Sequence, residues 1–182
     1  MQESLGLFLL KCFYLMLPAY FANMAPVMMK RINFLAFPVD FNRTMDNRPI
    51  LGKHKTFRGI VFGVIFAVVI AHIQFLLYDI GAFRNISFIN YQNWLLFGFL
   101  MGLGSLIGDL IKSFFKRQLG IAPGDKFIPF DQTDFVVGAL VFIMPIFNVT
   151  LEIFIASLLV SFAGHILVNH IAFYLKIRNV KW

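Results

Sequence analysis

Apolar residues in this chain fall into long runs that are hydrophobic on every side, separated by short polar stretches. The runs go from Leu5 to Met29, Gly59 to Ile80, Trp94 to Ile111, Phe135 to Phe147 and Leu151 to Leu175. A helix needs about 20 mostly apolar residues to cross the hydrocarbon core of a bilayer. The fourth run is short, so the pattern predicts that it reaches back through "IPFDQTD" as a span whose inner end is wet and polar. The expected architecture is an all-α integral membrane protein, a bundle of five transmembrane helices, with residues 1–182 as a single domain.

Composition agrees. Hydrophobic residues make up 59% of the chain and charged residues 14%, against roughly 25% charged in a soluble domain. The first run lacks the basic leader and small-residue cleavage site of a signal peptide, and is expected to be a retained helix. Cys12 is the sole cysteine. It excludes an intrachain disulfide or a cysteine-rich metal site and reads as a packing residue. Pro18 and Pro26 are expected to bend the first helix and Pro145 the fourth.

The positive charges orient the bundle. Lys30, Arg31, Arg43, Arg48, Lys53, Lys55 and Arg58 lie between spans one and two. Lys112, Lys116, Arg117 and Lys126 lie between three and four, and Lys176, Arg178 and Lys181 in the tail. Only Lys11 and Arg84 remain for the other side. Basic loops stay in the cytoplasm. The expected arrangement is therefore a multi-pass protein of the cell membrane, N-terminus outside and C-terminus inside, with two cytoplasmic loops forming a site. A net charge of +7 could suggest nucleic acid, but no soluble basic domain or basic-aromatic face accompanies it, so no nucleic-acid partner is expected.

Acidic groups gather on the same inner side. Asp109 lies just inside the third span, where an ionised carboxylate is functional by default and needs a partner. Pairing with Lys112 at i+3 is the plain alternative. The glycines at 98, 102, 104 and 108, with Ser105, predict close helix contact that places Asp109 inside the bundle. Asp131 and Asp134 sit one turn apart at the expected start of the fourth helix, a geometry that suits Mg²⁺ and equally suits capping. The Pro123-Gly124 turn before them can offer backbone amides to an anion or be an ordinary turn. In "RPILGKHKTFRG", Lys53, Lys55, Thr56 and Arg58 stand beside Gly52 and Gly59 without the order of a P-loop. Such a segment can grip phosphates or anchor to lipid headgroups.

Taken in order, these segments resemble a known family. "GDLIKSFFKRQLGIAPGDKFIPFDQTDF" is similar to the signature of CTP-dependent phosphatidate cytidylyltransferases. "ANMAP", "PVDF", "LGKHKTFRG" and "PGDKFIPFDQTDFVVGAL" more closely resemble the CDP-archaeol synthase family. The resemblance implies a membrane enzyme that moves CMP from CTP to a lipid phosphate of the 2,3-bis-O-geranylgeranyl-glycerol 1-phosphate type, with Mg²⁺ as cofactor. It also implies roles for residues. Asp109, Asp131 and Asp134 would hold the metal, and Lys55, Arg58, Lys116 and Arg117 would act on the reacting phosphates. Asn23, Lys53, Thr56, Gly59, Ser113 and Gly124 would complete the nucleotide and phosphate site. CTP, the lipid phosphate and the surrounding membrane lipids are the expected partners. His54 reads as a solvated loop residue. His165 and Asn169, at i and i+4 and followed by His170, either line a headgroup cavity or bond between helices, and His72 has no partner evident in the sequence. The competing reading is a non-enzymatic transporter or lipid-binding scaffold. A transporter would place its polar groups near the bilayer midplane, whereas here they concentrate at one face.

Overall fold

The structure, a computed structural model, describes residues 3–122 and 125–174. In chain order it comprises α1 (Leu5–Met28), a small hairpin of β1 (Thr44–Met45) and β2 (Arg48–Pro49), α2 (Phe57–Asp79), α3 (Trp94–Gln118), α4 (Phe130–Ile143) and α5 (Leu151–Tyr174). A single 3-10 turn, Arg84–Ile86, sits in the link between α2 and α3. Among the described residues four helices, α1, α2, α3 and α5, are long and apolar enough to cross a membrane.

The fourth expected span differs from the others. α4 has 14 residues, or about 21 Å of helix against a hydrocarbon core of about 30 Å. It begins at Phe130, so Asp131 and Asp134 are helical as the pattern predicts, but it stops at Ile143 rather than Phe147. Pro145 has no N–H to continue the ladder, and the chain turns there, with Ile146 and Phe147 both donating to the Ile143 carbonyl. α3 differs in the other direction. It runs past Ile111 to Gln118, and Ser113 and Lys116 in its last two turns are buried against protein. Lys116 and Arg117 in the final turn also suit the negative end of the helix dipole.

Small residues let the helices approach. A Cβ on Gly98 would lie 2.8 Å from that of Ala71, and one on Gly102 would lie 2.7 Å from that of Ala67, so α2 meets α3 almost backbone to backbone. The α3–α4 contact is tighter. A Cβ on Gly104 would stand 2.5 Å from the Gly138 carbonyl oxygen, and one on Gly108 would collide with the Asp134 carbonyl. Small residues are the usual means of close helix packing in lipid.

Both prolines lie inside α1, which continues through them. Pro18 cannot donate to the Tyr14 carbonyl. Gln74 of α2, 1% exposed, supplies the missing donor through Nε2 at 2.6 Å. Ser105 of α3 similarly donates its hydroxyl to the Ala19 carbonyl at 3.3 Å. In lipid no water would satisfy these carbonyls, so the two bonds tie α1 to both neighbours. Cys12 is buried, as a packing residue should be, and His72 packs on the Trp94 ring at 4.4 Å.

The end of α1, the start of α2, the end of α3 and the start of α4 share one end of the bundle. The loop before α2 folds onto the end of α3, where Arg48 donates to the Gln118 carbonyl and Gln118 returns a bond to the Pro49 carbonyl at 3.4 Å.

Candidate functional site

One carboxylate organises the loop between α1 and α2. Asp40, 8% exposed, accepts backbone N–H groups from Asn42 at 3.0 Å, Leu51 at 2.9 Å and Gly52 at 3.0 Å. Burial pushes its carboxyl up, and the N–H donors outweigh that, holding it below the ordinary value. The chain is thereby folded back on itself. Gly52 takes a φ of 101°, a conformation that glycine adopts without strain, and Lys53 to Lys55 are presented to α3.

Below that loop lies a cluster of three lysines and three aspartates. Lys55 pairs with Asp109 Oδ2. Lys112 sits 3.2 Å from Asp109 Oδ1, 3.1 Å from Asp131 Oδ1 and 3.1 Å from Asp134 Oδ2. Lys116 lies 3.0 Å from Asp131 Oδ2 and also donates to the Asp125 carbonyl. Asp131 further accepts the Phe127 N–H at 2.7 Å, which fixes the entry into α4. Lys112 lies six residues before the end of α3, about 9 Å along the axis. The cluster is thus recessed within the bundle.

A cleft of ≈ 180 Å³ opens above it, lined by Gly52, Lys53, Lys55, Ser113, Lys116 and Arg117 together with Lys112 and His54. Five of these side chains are cationic, and Ser113 and Lys116 are themselves buried. Such a cavity attracts polyanions, because cations in a walled recess reinforce one another's field.

Several expected phosphate ligands have other duties. Thr56 caps α2, its hydroxyl accepting the Gly59 N–H at 3.3 Å. Gly59 allows α1 to approach, since a Cβ there would lie 3.2 Å from the Pro26 ring. Arg58 donates to the Ile32 carbonyl and so braces the chain leaving α1, outside the cationic cleft. Arg117 lines the cleft while donating to the Ile121 carbonyl. Gly124 lies outside the described residues. Lys112 has a larger part than its spacing predicts: the i+3 spacing predicts the contact with Asp109, and the two from α4 arise by packing.

A second cavity, of ≈ 310 Å³, runs between α1, α4 and α5. Phe13, Leu17, Phe21, Met24, Val160 and Val168 give it an apolar wall, and Asn23 and His165 also line it. Tyr20, on the same wall, shares a hydrogen bond with Ser161 at 2.7 Å. His165 Nδ1 and Asn169 lie 3.1 Å apart along α5, a contact within the helix. Phe135, next to Asp134 in sequence, also lines it.

Hard carboxylate oxygens are the donors Mg²⁺ takes. Asp134 Oδ2 is buried without a directed hydrogen bond and faces the Lys112 ammonium. The donor chemistry therefore fits a divalent cation, while the spacing is that of a cage around an ammonium. Among the described residues no three His, Cys, Asp or Glu side chains gather closely enough to hold a metal ion as they stand.

Comparison with known proteins covers nearly all of the chain. The family described as CarS-like CDP-archaeol synthase matches residues 5–182. The CDP-archaeol synthase of Pyrococcus furiosus is 34% identical over 96% of this chain and 98% of its own. That of Sulfolobus acidocaldarius is 33% identical over 98% of this chain and 99% of its own. A solved structure of an intramembrane enzyme for archaeal membrane lipid biosynthesis matches with a TM-score of 0.71 and 28% identity, covering 86% of this chain and 91% of that one.

Proposed function

The chain belongs to the CDP-archaeol synthase family, and on that premise we propose that it transfers CMP from CTP to a membrane lipid phosphate, releasing pyrophosphate. The substrate is of the 2,3-bis-O-geranylgeranyl-glycerol 1-phosphate type, and the product is a CDP-lipid that stays in the bilayer. One observation carries this reading: a recessed Lys–Asp cluster lies under a cleft of cations and beside an apolar cavity between helices.

The reaction joins two anions. A phosphate oxygen of the lipid attacks the α-phosphorus of CTP, the bond to the β-phosphate oxygen breaks, and pyrophosphate leaves with the electron pair. A phosphate monoester is already a nucleophile, so no covalent enzyme intermediate is required. The residues supply position and charge, which dominate such transfers. Lys53, Lys55, Lys116 and Arg117 receive the phosphates in the cleft, with Ser113 as a hydroxyl donor. Asp109, Asp131 and Asp134 are the groups that would hold Mg²⁺, which when bound neutralises charge on the phosphate oxygens. Asp40 holds the loop in shape, and Arg58, Thr56 and Gly59 fix the start of α2 beneath it. Asn23 belongs to the lipid side, where the apolar cavity takes the isoprenoid chains and leaves the phosphate toward Asp134.

The topology supports the same arrangement. α4 and the link to Leu151 together make a fifth crossing, because Ile146 and Phe147 line a small cavity with Ile89, Asn90 and Tyr91 of the opposite link. With the basic loops in the cytoplasm, the cleft faces soluble CTP while lipid enters sideways from the bilayer.

Purified protein given CTP, Mg²⁺ and lipid phosphates tests the proposal by pyrophosphate release. Matched ether and ester phosphates of both glycerol stereochemistries are the informative set. Chain length and saturation should discriminate less than the headgroup, since one methylene is worth about 1–3 kcal/mol and a mispaired polar group about 10⁴–10⁵-fold. CTP should be preferred over ATP and GTP. No release with any lipid phosphate would refute the enzyme reading.

A further inference from the structure

Lys112 stands where the three carboxylates converge. One, Asp109, comes from the preceding turn of its own helix, and two come from the first turns of α4. Its side chain is 14% exposed. With Lys55 and Lys116 included, the cluster holds three positive and three negative groups and is balanced. A divalent cation added to that balance would leave two charges uncompensated in a recessed site, which costs free energy. Lys112 also lines the phosphate cleft. A lysine head on a flexible four-carbon stem can exchange one set of oxygens for another.

We propose that Lys112 is the resident counter-ion of this carboxylate cage. It holds Asp109, Asp131 and Asp134 together while no divalent cation is present. It yields the place when the metal enters and carries its own charge into the cleft, where phosphates receive it. Metal entry is thereby tied to the arrival of the triphosphate, whose negative charge offsets both cations. The inference rests on the reading of these aspartates as the metal-holding group. It is an exchange of ion pairs, with no bond made or broken.

The test measures Mn²⁺ binding by electron paramagnetic resonance and thermal unfolding of the detergent-solubilised full chain, with and without CTP. Lys112→Gln is purified in Mg²⁺ and then stripped with chelator. Without nucleotide it should bind Mn²⁺ about tenfold or more tightly than the parent, because a like charge has left the site. Its unfolding midpoint should drop on chelation and recover with Mn²⁺. Lys112→Arg, which keeps the charge, should bind as weakly as the parent, and Lys11→Gln, whose lost ion pair is with Glu3, should match the parent in Mn²⁺ binding and in the response of its midpoint to chelation. The proposal is overturned if Lys112→Gln binds Mn²⁺ no more tightly than the parent. It is also overturned if the variant fails to fold in Mg²⁺, since the metal then does not replace the ammonium. If the parent does not bind Mn²⁺ even with CTP, the metal reading itself is wrong and the inference goes with it.

Discussion

Asp131 joins two lysines and a backbone N–H, so its substitution separates charge from shape. Asp131→Asn keeps an acceptor for Phe127 and loses the charge facing Lys112 and Lys116. CMP transfer should fall by about 10²–10³, the usual effect of removing one electrostatic contribution. Stability should fall by about 1–3 kcal/mol, and circular dichroism should show the helices retained. Transfer at the parent rate would contradict the assigned role. At this scale the sequence showed the acids and the cleft cations by type and position. It did not show that Arg58 turns to Ile32 or that Thr56 serves the helix end, because both depend on where the loop docks. Lys112 was visible as an i+3 partner of Asp109; its contacts to Asp131 and Asp134 depend on how α3 meets α4.

That helix contact can be tested on its own. Gly138 lies against the Gly104 carbonyl with no room for a side chain, so Gly138→Ala must push α4 from α3. Overpacking costs about 1–3 kcal/mol, and the shift would also move Asp134 from Lys112, lowering transfer by more than stability alone accounts for. Gly6→Ala, where a Cβ would meet nothing within 4 Å, should leave both unchanged. Equal unfolding midpoints for Gly138→Ala and the parent would contradict the packing. Gln74→Leu should cost about 1–3 kcal/mol by leaving the Tyr14 carbonyl bare, read as a lower midpoint; an unchanged midpoint would show that the carbonyl finds another donor. The small-residue run of α3 was legible as a contact surface from sequence. Its partner glycine was not, since Gly138 is isolated in an apolar run, and neither was the end of α4, since Pro145 in a sequence is compatible with a bend as well as with the turn found here.

Across the whole molecule, the apolar runs made the membrane class and most helices legible before any coordinates, because a span is defined by composition and length alone. Three spans appear close to where the runs predict, with α3 extended and α4 shortened. The proposed orientation places Arg84 outside. Arg84→Cys in a Cys12→Ala background should react with an impermeant maleimide on intact cells, and labelling only after lysis would reverse the topology. The central claim, that the cationic cleft brings CTP to a lipid phosphate held by the bundle, is tested most directly with CTP labelled at the α-phosphorus. In the presence of Mg²⁺ and di-isoprenoid glycerol phosphate, the label should pass into the organic phase in step with pyrophosphate release, and Asp131→Asn should lower both together by about 10²–10³. Pyrophosphate released without label in the lipid, or label in the lipid from the variant at the parent rate, would contradict it.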